Sequence, residues 1–148
     1  MTDMKLYDRT FLETPIGTAE IVGDKDGIVS ISVRDDQAEP STNIPESLRD
    51  CVKQLNEYFE GSRTEFSLNL NPQGTAFQKK VWHELLCIPF GVTTTYLKQT
   101  LKLGNEKAIR AVASANGKNP IWIIIPCHRV IGSDGSLNSK RECKKENI

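Results

Sequence analysis

Three consecutive residues in the second half of the chain, Cys127-His128-Arg129, could carry out nucleophilic chemistry. The thiolate is the reactive form of cysteine, and it forms more readily beside a base or a positive charge. Here an imidazole and a guanidinium follow the thiol directly. Neighbouring side chains need not point the same way, so adjacency alone makes Cys127 a candidate nucleophile and no more.

An apolar run, Ile121–Ile125, precedes the cysteine and is separated from it by Pro126. The run is far too short to cross a bilayer, and its β-branched residues predict one buried strand. We therefore expect this strand to deliver Cys127 into a turn, and we expect no association with a membrane.

A zinc site is the alternative chemistry that the cysteines and histidines raise. His83 and Cys87 lie four residues apart on a predicted helix and could chelate a metal together with Cys51, Cys127 or His128. No second paired set of ligands is present, and the segment lacks the second histidine of the HExxH metalloprotease motif. The sequence therefore predicts no metal site, and Cys51 and Cys87 are interpreted as packing residues.

The four cysteines, at positions 51, 87, 127 and 143, show no CxxC pair and no disulfide spacing. The N-terminal residues MTDMKLYDRT lack the apolar stretch of a secretory signal. We expect free thiols in a reducing compartment, which means the cytoplasm, or the nucleus if the source is eukaryotic.

Charge divides the chain into two halves. Residues 1–71 contain 7 Lys and Arg against 14 Asp and Glu, a net charge of −7, whereas residues 72–148 contain 12 against 5, a net charge of +7. This division predicts two domains, 1–71 and 72–148, of which the second faces a polyanion. Chance segregation of charge is the alternative.

The first half reads as a small α/β domain with a mainly antiparallel sheet. An Asp24–Gly27 turn suits a hairpin, and an amphipathic helix with Cys51 on its apolar face ends at Gly61. The strands are predicted at Lys5–Phe11, Thr18–Val22, Ile28–Val33 and Glu65–Leu70.

The second half is predominantly helical, so the whole chain is predicted to be an α+β protein. Thr75 and Gln78 have capping-box spacing ahead of an apolar stripe. A brief helix over Thr95–Leu101 and a second one that begins with Asn105 as its cap form a helix-turn-helix pattern. The stripe comprises Phe77, Val81, Trp82, Leu85 and Leu86.

Helical periodicity gives the second of these short helices two faces. Ala108, Ile109, Val112 and Ala113 fall on one side, and Lys107, Arg110, Ala111 and Ser114 fall on the other. The second face is basic, and its small side chains would let the helix backbone approach another surface closely. A solvated helix face is the alternative.

A set of motifs occurs in order along the second half of the chain. They are Gly74-Thr75-Ala76-Phe77-Gln78, Val81-Trp82, Ile88-Pro89, Thr95-Tyr96, Ala108-Ile109-Arg110-Ala111-Val112, Asn119-Pro120 and Ile125-Pro126-Cys127-His128-Arg129-Val130-Ile131-Gly132. This order closely resembles the O6-alkylguanine-DNA alkyltransferases, also called methylated-DNA–protein-cysteine methyltransferases. Thr14-Pro15-Ile16-Gly17 resembles their opening hairpin. The resemblance implies a winged-helix-like helix-turn-helix in the C-terminal domain.

The resemblance also implies a reaction without a cofactor. Cys127 would take the alkyl group from O6 of guanine, or from O4 of thymine, in one irreversible transfer. His128 matches the base that removes the thiol proton through a water, and Tyr96 matches the proton donor to the leaving guanine. Val130 would contribute a backbone carbonyl to the guanine pocket, and Trp122, close to the predicted strand that forms the pocket, would narrow its entrance.

The expected partner is double-stranded DNA that contains O6-alkylguanine, bound in the minor groove by a monomer. Arg110 matches the residue that enters the base stack when the target nucleotide flips out, and Thr95, Ala111 and Ser114 accompany it at the DNA. The resemblance also implies two structural residues. Asn119 would be a hinge between the recognition helix and the active-site strand, and Arg129 would brace the structure.

After Leu137 the amino-acid sequence departs from the family pattern. A Gly-Tyr-x-Gly-Gly loop and a closing helix with a glutamate are replaced by Asn138–Ile148, in which neither Glu142 nor Glu146 sits in a matching motif. A non-reactive or impaired binder of alkylated DNA is therefore the alternative, although such binders replace the cysteine that is present here. A helix-turn-helix transcription regulator is a second alternative.

Overall fold

The N-terminal sheet is built from three strands that are joined by two hairpin turns. The structure is a computed structural model that describes residues 6–34, 39–104 and 106–131. It divides into two compact units, Met1–Pro72 and Gln73–Ile148. In the first unit, β1 (Asp8–Thr14), β2 (Gly17–Asp24) and β3 (Gly27–Arg34) form an antiparallel sheet in the order β1-β2-β3.

Both hairpin turns follow from local chemistry. The predicted turn between β2 and β3 is confirmed, with Asp24 pairing with Gly27 across it. At the first turn the Thr14 hydroxyl donates to the Gly17 carbonyl at 2.6 Å. The first strand begins and ends later than predicted. Its predicted first residue, Lys5, lies outside the described residues.

One helix, α1 (Glu46–Glu60), covers the sheet. Its apolar face is Leu48, Cys51, Val52 and Leu55, and Gly61 ends it in the left-handed conformation (φ 86°), as the sequence predicts. Cys51 is 1% exposed, which confirms its interpretation as a core residue. The sheet contributes Ala19, Ile21, Ile28 and Ile31 to the same core.

The strand predicted at Glu65–Leu70 is wrong. Only Leu70 forms a bridge, a parallel one to Ile28. Upstream of Leu70, the Gln54 side chain forms the backbone hydrogen bonds that a neighbouring strand would otherwise form. Its amide oxygen accepts from the Ser67 N–H at 2.9 Å, and its amide nitrogen donates to the Ser67 carbonyl at 3.3 Å. A buried side-chain amide thus satisfies backbone groups that a sheet would otherwise pair.

The C-terminal unit begins with α2 (Ala76–Leu86), which has the predicted capping box between Thr75 and Gln78. Val81, Trp82 and Leu85 are buried as predicted. Two members of the predicted stripe are not, because Phe77 is 39% and Leu86 is 42% exposed. The apolar face of α2 is therefore narrower than the sequence pattern indicates.

Two short helices follow, α3 (Tyr96–Lys102) and α4 (Ile109–Gly117), and they confirm the helix-turn-helix prediction. Their contact is polar at its centre: the amide of Gln99 donates to Asn116 at 3.0 Å and accepts from it at 2.8 Å. Both residues are buried, so each amide depends on the other for partners inside the unit.

The start of α4 differs from the prediction. Asn105, predicted as its cap, lies outside the described residues, and a 3-10 turn, Glu106–Ala108, precedes the helix. Ala108 occupies the N-cap position without a side-chain hydrogen bond.

The α+β class is confirmed by the sheet and helices together. Within the described residues, no helix combines the length and the apolar character that crossing a membrane requires.

Replacing Gln99 by Leu is expected to cost about 1–3 kcal/mol of unfolding free energy, because the buried Asn116 amide loses its partner. Asn116→Leu should cost a similar amount for the same reason. The double variant leaves no orphaned amide, so its loss should be clearly smaller than the sum of the two single losses. Urea denaturation of all four proteins measures this, and strictly additive losses would contradict the pairing.

Burial raises the pKa of the Cys51 thiol from 9.0 to about 12. The folded state therefore keeps the thiol protonated where the unfolded state ionises, so the stabilisation is complete below pH 9 and declines as the pH rises toward 12. The unfolding free energy should fall by about 1 kcal/mol per pH unit in that window relative to Cys51→Ala. Urea denaturation of both proteins across the window tests this. A difference between them that stays constant with pH would contradict it.

Candidate active site

The apolar run before the cysteine is a buried turn, so the strand predicted for it is wrong. The Ile124 N–H donates to the Trp122 carbonyl at 2.8 Å, and the Ile125 N–H donates to the Ile121 carbonyl at 3.1 Å. Ile123, between them, has a φ of 67°. A β-branched residue is strained in this left-handed region, by roughly 1–2 kcal/mol.

Asn119 closes this turn with its side chain. Its amide nitrogen donates to the Ile125 carbonyl at 2.6 Å, and its oxygen accepts from the Ile121 N–H at 2.9 Å. Both ends of the apolar run are therefore bonded to one side chain. Because groups at both ends of the run are bonded within the loop, its isoleucines are buried in a turn and not in a regular strand.

Cys127 begins a 3-10 turn, Cys127–Arg129, directly after this closed loop. Its N–H donates to the Ile125 carbonyl at 2.9 Å, and its own carbonyl accepts from the Val130 N–H. The thiol residue is only 1% exposed, whereas His128 is half-buried. The structure therefore places the candidate nucleophile inside the unit and the candidate base at its margin.

A short parallel pairing connects the cysteine turn to α3. Strand β4 (Thr94–Thr95) pairs with β5 (Val130–Ile131), with Thr94 opposite Val130. Tyr96 follows β4 immediately as the first residue of α3 and is buried. The pairing thus brings Tyr96 and the cysteine turn to one place. Sequence reasoning missed it, since two threonines and a Val-Ile pair are too short a signal for a strand.

The outward face of α4 is as predicted, with Lys107, Arg110, Ala111 and Ser114 all exposed. The opposite face is fixed to α2, because the indole N–H of Trp82 donates to the Ala115 carbonyl at 2.8 Å. Thr95, predicted to contact DNA, is half-buried and caps α3, its hydroxyl accepting from the Lys98 N–H at 3.1 Å.

The remaining predicted residues lie around the turn. Val130 and Trp122 are buried, at 1% and 4% exposure. The Arg129 guanidinium donates to the Ile88 carbonyl at 2.6 Å, so it contacts the segment that follows α2. Gly132 and the tail, which includes Cys143, Glu142 and Glu146, lie outside the described residues.

The described cysteines, Cys51, Cys87 and Cys127, are free thiols. His83 and Cys87 share a helical turn, and the Cys87 thiol lies 3.6 Å from the His83 carbonyl. In the described parts of the chain, no three His, Cys, Asp or Glu side chains come together as a metal site.

Two family models match the chain. The model described as "6-O-methylguanine DNA methyltransferase, ribonuclease-like domain" matches residues 8–72, and the one described as "6-O-methylguanine DNA methyltransferase, DNA binding domain" matches residues 76–147. A methylated-DNA–protein-cysteine methyltransferase of Methanosarcina acetivorans is 42% identical over 132 residues, which covers 84% of this chain and 83% of the relative. The chain belongs to the 6-O-methylguanine DNA methyltransferase family.

Further members of the family agree in sequence and in structure. A Mycobacterium tuberculosis protein of the same name is 42% identical over 130 residues, covering 85% of this chain and 79% of that protein. The crystal structure of the O6-methylguanine methyltransferase from M. tuberculosis matches with a TM-score of 0.82 at 38% identity, covering 95% of this chain and 88% of that one. The resemblance identified from the motifs is thereby confirmed.

One of the similar structures is a complex with DNA. It is M. tuberculosis OGT, with a TM-score of 0.79 and 36% identity, covering 92% of this chain and 88% of that chain. The DNA-binding-domain model extends to residue 147. The match therefore includes residues 138–147, whose sequence differs from the family's Gly-Tyr-x-Gly-Gly loop and closing helix.

Asn119→Ala should destabilise the C-terminal unit by about 1–3 kcal/mol, because the buried Ile121 N–H loses its partner and the Ile125 carbonyl keeps only its bond from the Cys127 N–H. Asn119→Asp should not rescue it, since a carboxylate accepts from Ile121 but cannot donate to the Ile125 carbonyl. Calorimetric unfolding of both variants measures this. Wild-type stability in Asn119→Asp would show that the donor half of the contact contributes nothing.

Proposed function

We propose that this protein repairs DNA by transferring a methyl or other alkyl group from O6 of guanine to the sulfur of Cys127. One observation carries the proposal: Cys127 lies in a buried turn that is joined through β4 and β5 to the first residue of a helix-turn-helix. Membership of the 6-O-methylguanine DNA methyltransferase family supports it. The relatives' name, methylated-DNA–protein-cysteine methyltransferase, describes the same reaction.

In the proposed step the Cys127 thiolate attacks the alkyl carbon. A carbon–sulfur bond forms while the bond from that carbon to guanine O6 breaks, and the electron pair of that bond remains on the purine. His128 takes the thiol proton, and the Tyr96 hydroxyl donates a proton toward the purine as negative charge develops on it. The thioether product is stable, so each molecule reacts once.

Burial of Cys127 requires the base to travel to the thiol. A residue that is 1% exposed cannot reach an O6 group inside stacked duplex DNA, so the nucleotide must be flipped out of the helix. The exposed face of α4 suits this task. Ala111 and Ser114 are small enough to let the helix approach a groove closely, and the exposed Arg110 would occupy the space that the flipped base leaves.

The wall of the proposed guanine pocket would come from buried residues near the cysteine turn in sequence. Val130 would offer its backbone carbonyl to the guanine amino group, and Trp122 would restrict the size of the alkyl group. Asn119 and Arg129 hold the loop and the turn on either side of Cys127. The proposal includes O4 of thymine as a second acceptable position.

The test is the intact mass of the protein after incubation with duplex DNA that carries one O6-methylguanine. The wild-type chain should gain the mass of one methylene group, and Cys127→Ala should gain nothing. Cys87→Ala is the matched control, because it removes an exposed thiol from the same unit and should still gain the methylene mass.

The failing outcomes are distinct from one another. Binding to the lesion without any mass gain would overturn the transfer and favour a non-reactive damage binder. Neither binding nor mass gain would overturn the repair function for this chain. A mass gain in Cys127→Ala would assign the acceptor to another residue.

A further inference from the structure

The cysteine turn is attached to the end of α2 through one cationic side chain. The Arg129 guanidinium donates to the Ile88 carbonyl at 2.6 Å, and its central carbon lies 5.7 Å from the centroid of the Phe90 ring. A guanidinium within about 6 Å of an aromatic face is attracted by the ring. Arg129 therefore has two contacts on the segment between α2 and β4.

The position of this contact favours a cation. Ile88 follows the last residue of α2 by two positions, so the guanidinium that binds its carbonyl lies just beyond the C-terminal end of the helix, where the helix dipole favours positive charge. The planar guanidinium can donate to that carbonyl and lie against a ring at once, which an ammonium group does less well.

Phe90 lies mostly outside the core. Its side chain is 53% exposed, and it belongs to the Ile88-Pro89-Phe90-Gly91 segment that the reaction itself does not use. The Arg129 contact supplies a reason for the aromatic ring.

Cys127 lies between two anchored points. Upstream, Asn119 holds the carbonyl of Ile125, to which the Cys127 N–H also donates. Downstream, Arg129 is held on Ile88 and Phe90. The 3-10 turn between these anchors is only three residues long, so a shift of Arg129 would be transmitted directly to the thiol and to His128.

We propose that Phe90 is a positioning residue: by holding Arg129 on the Ile88 carbonyl, it orients the turn that carries Cys127 and His128 for alkyl transfer. This inference rests on the proposed function. Phe90 acts through Arg129 and touches no reacting atom. Its effect is therefore expected on the rate of transfer and not on the affinity for DNA.

The experiment compares Phe90→Leu with Phe77→Leu. Both replace a partly exposed phenylalanine of the same unit, and leucine keeps an apolar side chain while removing the ring. At saturating O6-methylguanine duplex, Phe90→Leu should transfer the methyl group about tenfold more slowly, because small misplacements of reacting groups are costly. Its Kd for the duplex should be unchanged, and Phe77→Leu should match the wild type in both.

A second measurement does not depend on DNA. The rate at which iodoacetamide alkylates Cys127 is followed against pH, with Cys87 in the same molecules as the reference. Phe90→Leu should change the pH profile of Cys127 and leave that of Cys87 as it is. A general loss of folding would instead expose Cys51 to the reagent as well. Adding Arg129→Lys to Phe90→Leu should slow transfer no further than the slower single variant.

The outcomes separate the inference from the function on which it rests. If Phe90→Leu behaves as Phe77→Leu does in transfer rate and in the Cys127 profile, the positioning role is overturned. It is also overturned if Phe90→Leu weakens DNA binding while the transfer rate at saturation is unchanged. If the wild type transfers no methyl group, the proposed function fails, and the Cys127 profile then decides the positioning role alone.

Discussion

The C-terminal unit depends on how a buried stretch of backbone between two prolines satisfies its polar groups. Pro120 and Pro126 cannot donate, and the five residues between them lie in the interior, where an unpaired N–H or C=O is costly. The Asn119 side-chain amide satisfies one group at each end of this stretch, the Ile121 N–H and the Ile125 carbonyl. The same bonds hold Ile123 in its strained conformation, and they fix where the chain emerges from the loop. Because Cys127 is the second residue after the loop, its location is a consequence of that amide.

Side-chain amides serve the same purpose in other parts of the molecule. Gln54 pairs with both backbone groups of Ser67, which lies on a segment that does not continue the sheet. Gln99 and Asn116 satisfy each other between the two helices of the helix-turn-helix. In each case a buried amide replaces a strand or a solvent contact. Such pairs are directional, so they determine the register of the elements that they join more strictly than apolar contacts of similar size would.

The parts of the fold that could be predicted are those that local sequence determines. The turn at Asp24–Gly27, the capping box at Thr75 and Gly61 at the end of α1 all need only neighbouring residues. The apolar run at Ile121–Ile125 was correctly expected to be buried, but hydrophobicity indicates burial and not conformation. Its turn depends on a side-chain contact with Asn119 that no periodicity reveals. The candidate nucleophile was likewise found by residue type, whereas its link to Tyr96 depends on a two-residue pairing between distant segments.

That pairing has a consequence for the order in which the protein acquires its structure. Within each helix of the C-terminal unit the backbone hydrogen bonds join residues four apart, and such local contacts form early at small entropic cost. In the sequence, strands β4 and β5 are separated by α3 and α4, so pairing them closes a long loop and costs more entropy than the bonds within a helix. The cysteine turn is therefore expected to assemble late during folding. A chain newly released from the ribosome would pass through a stage in which its helix-turn-helix is formed while its nucleophile is still exposed to cellular electrophiles.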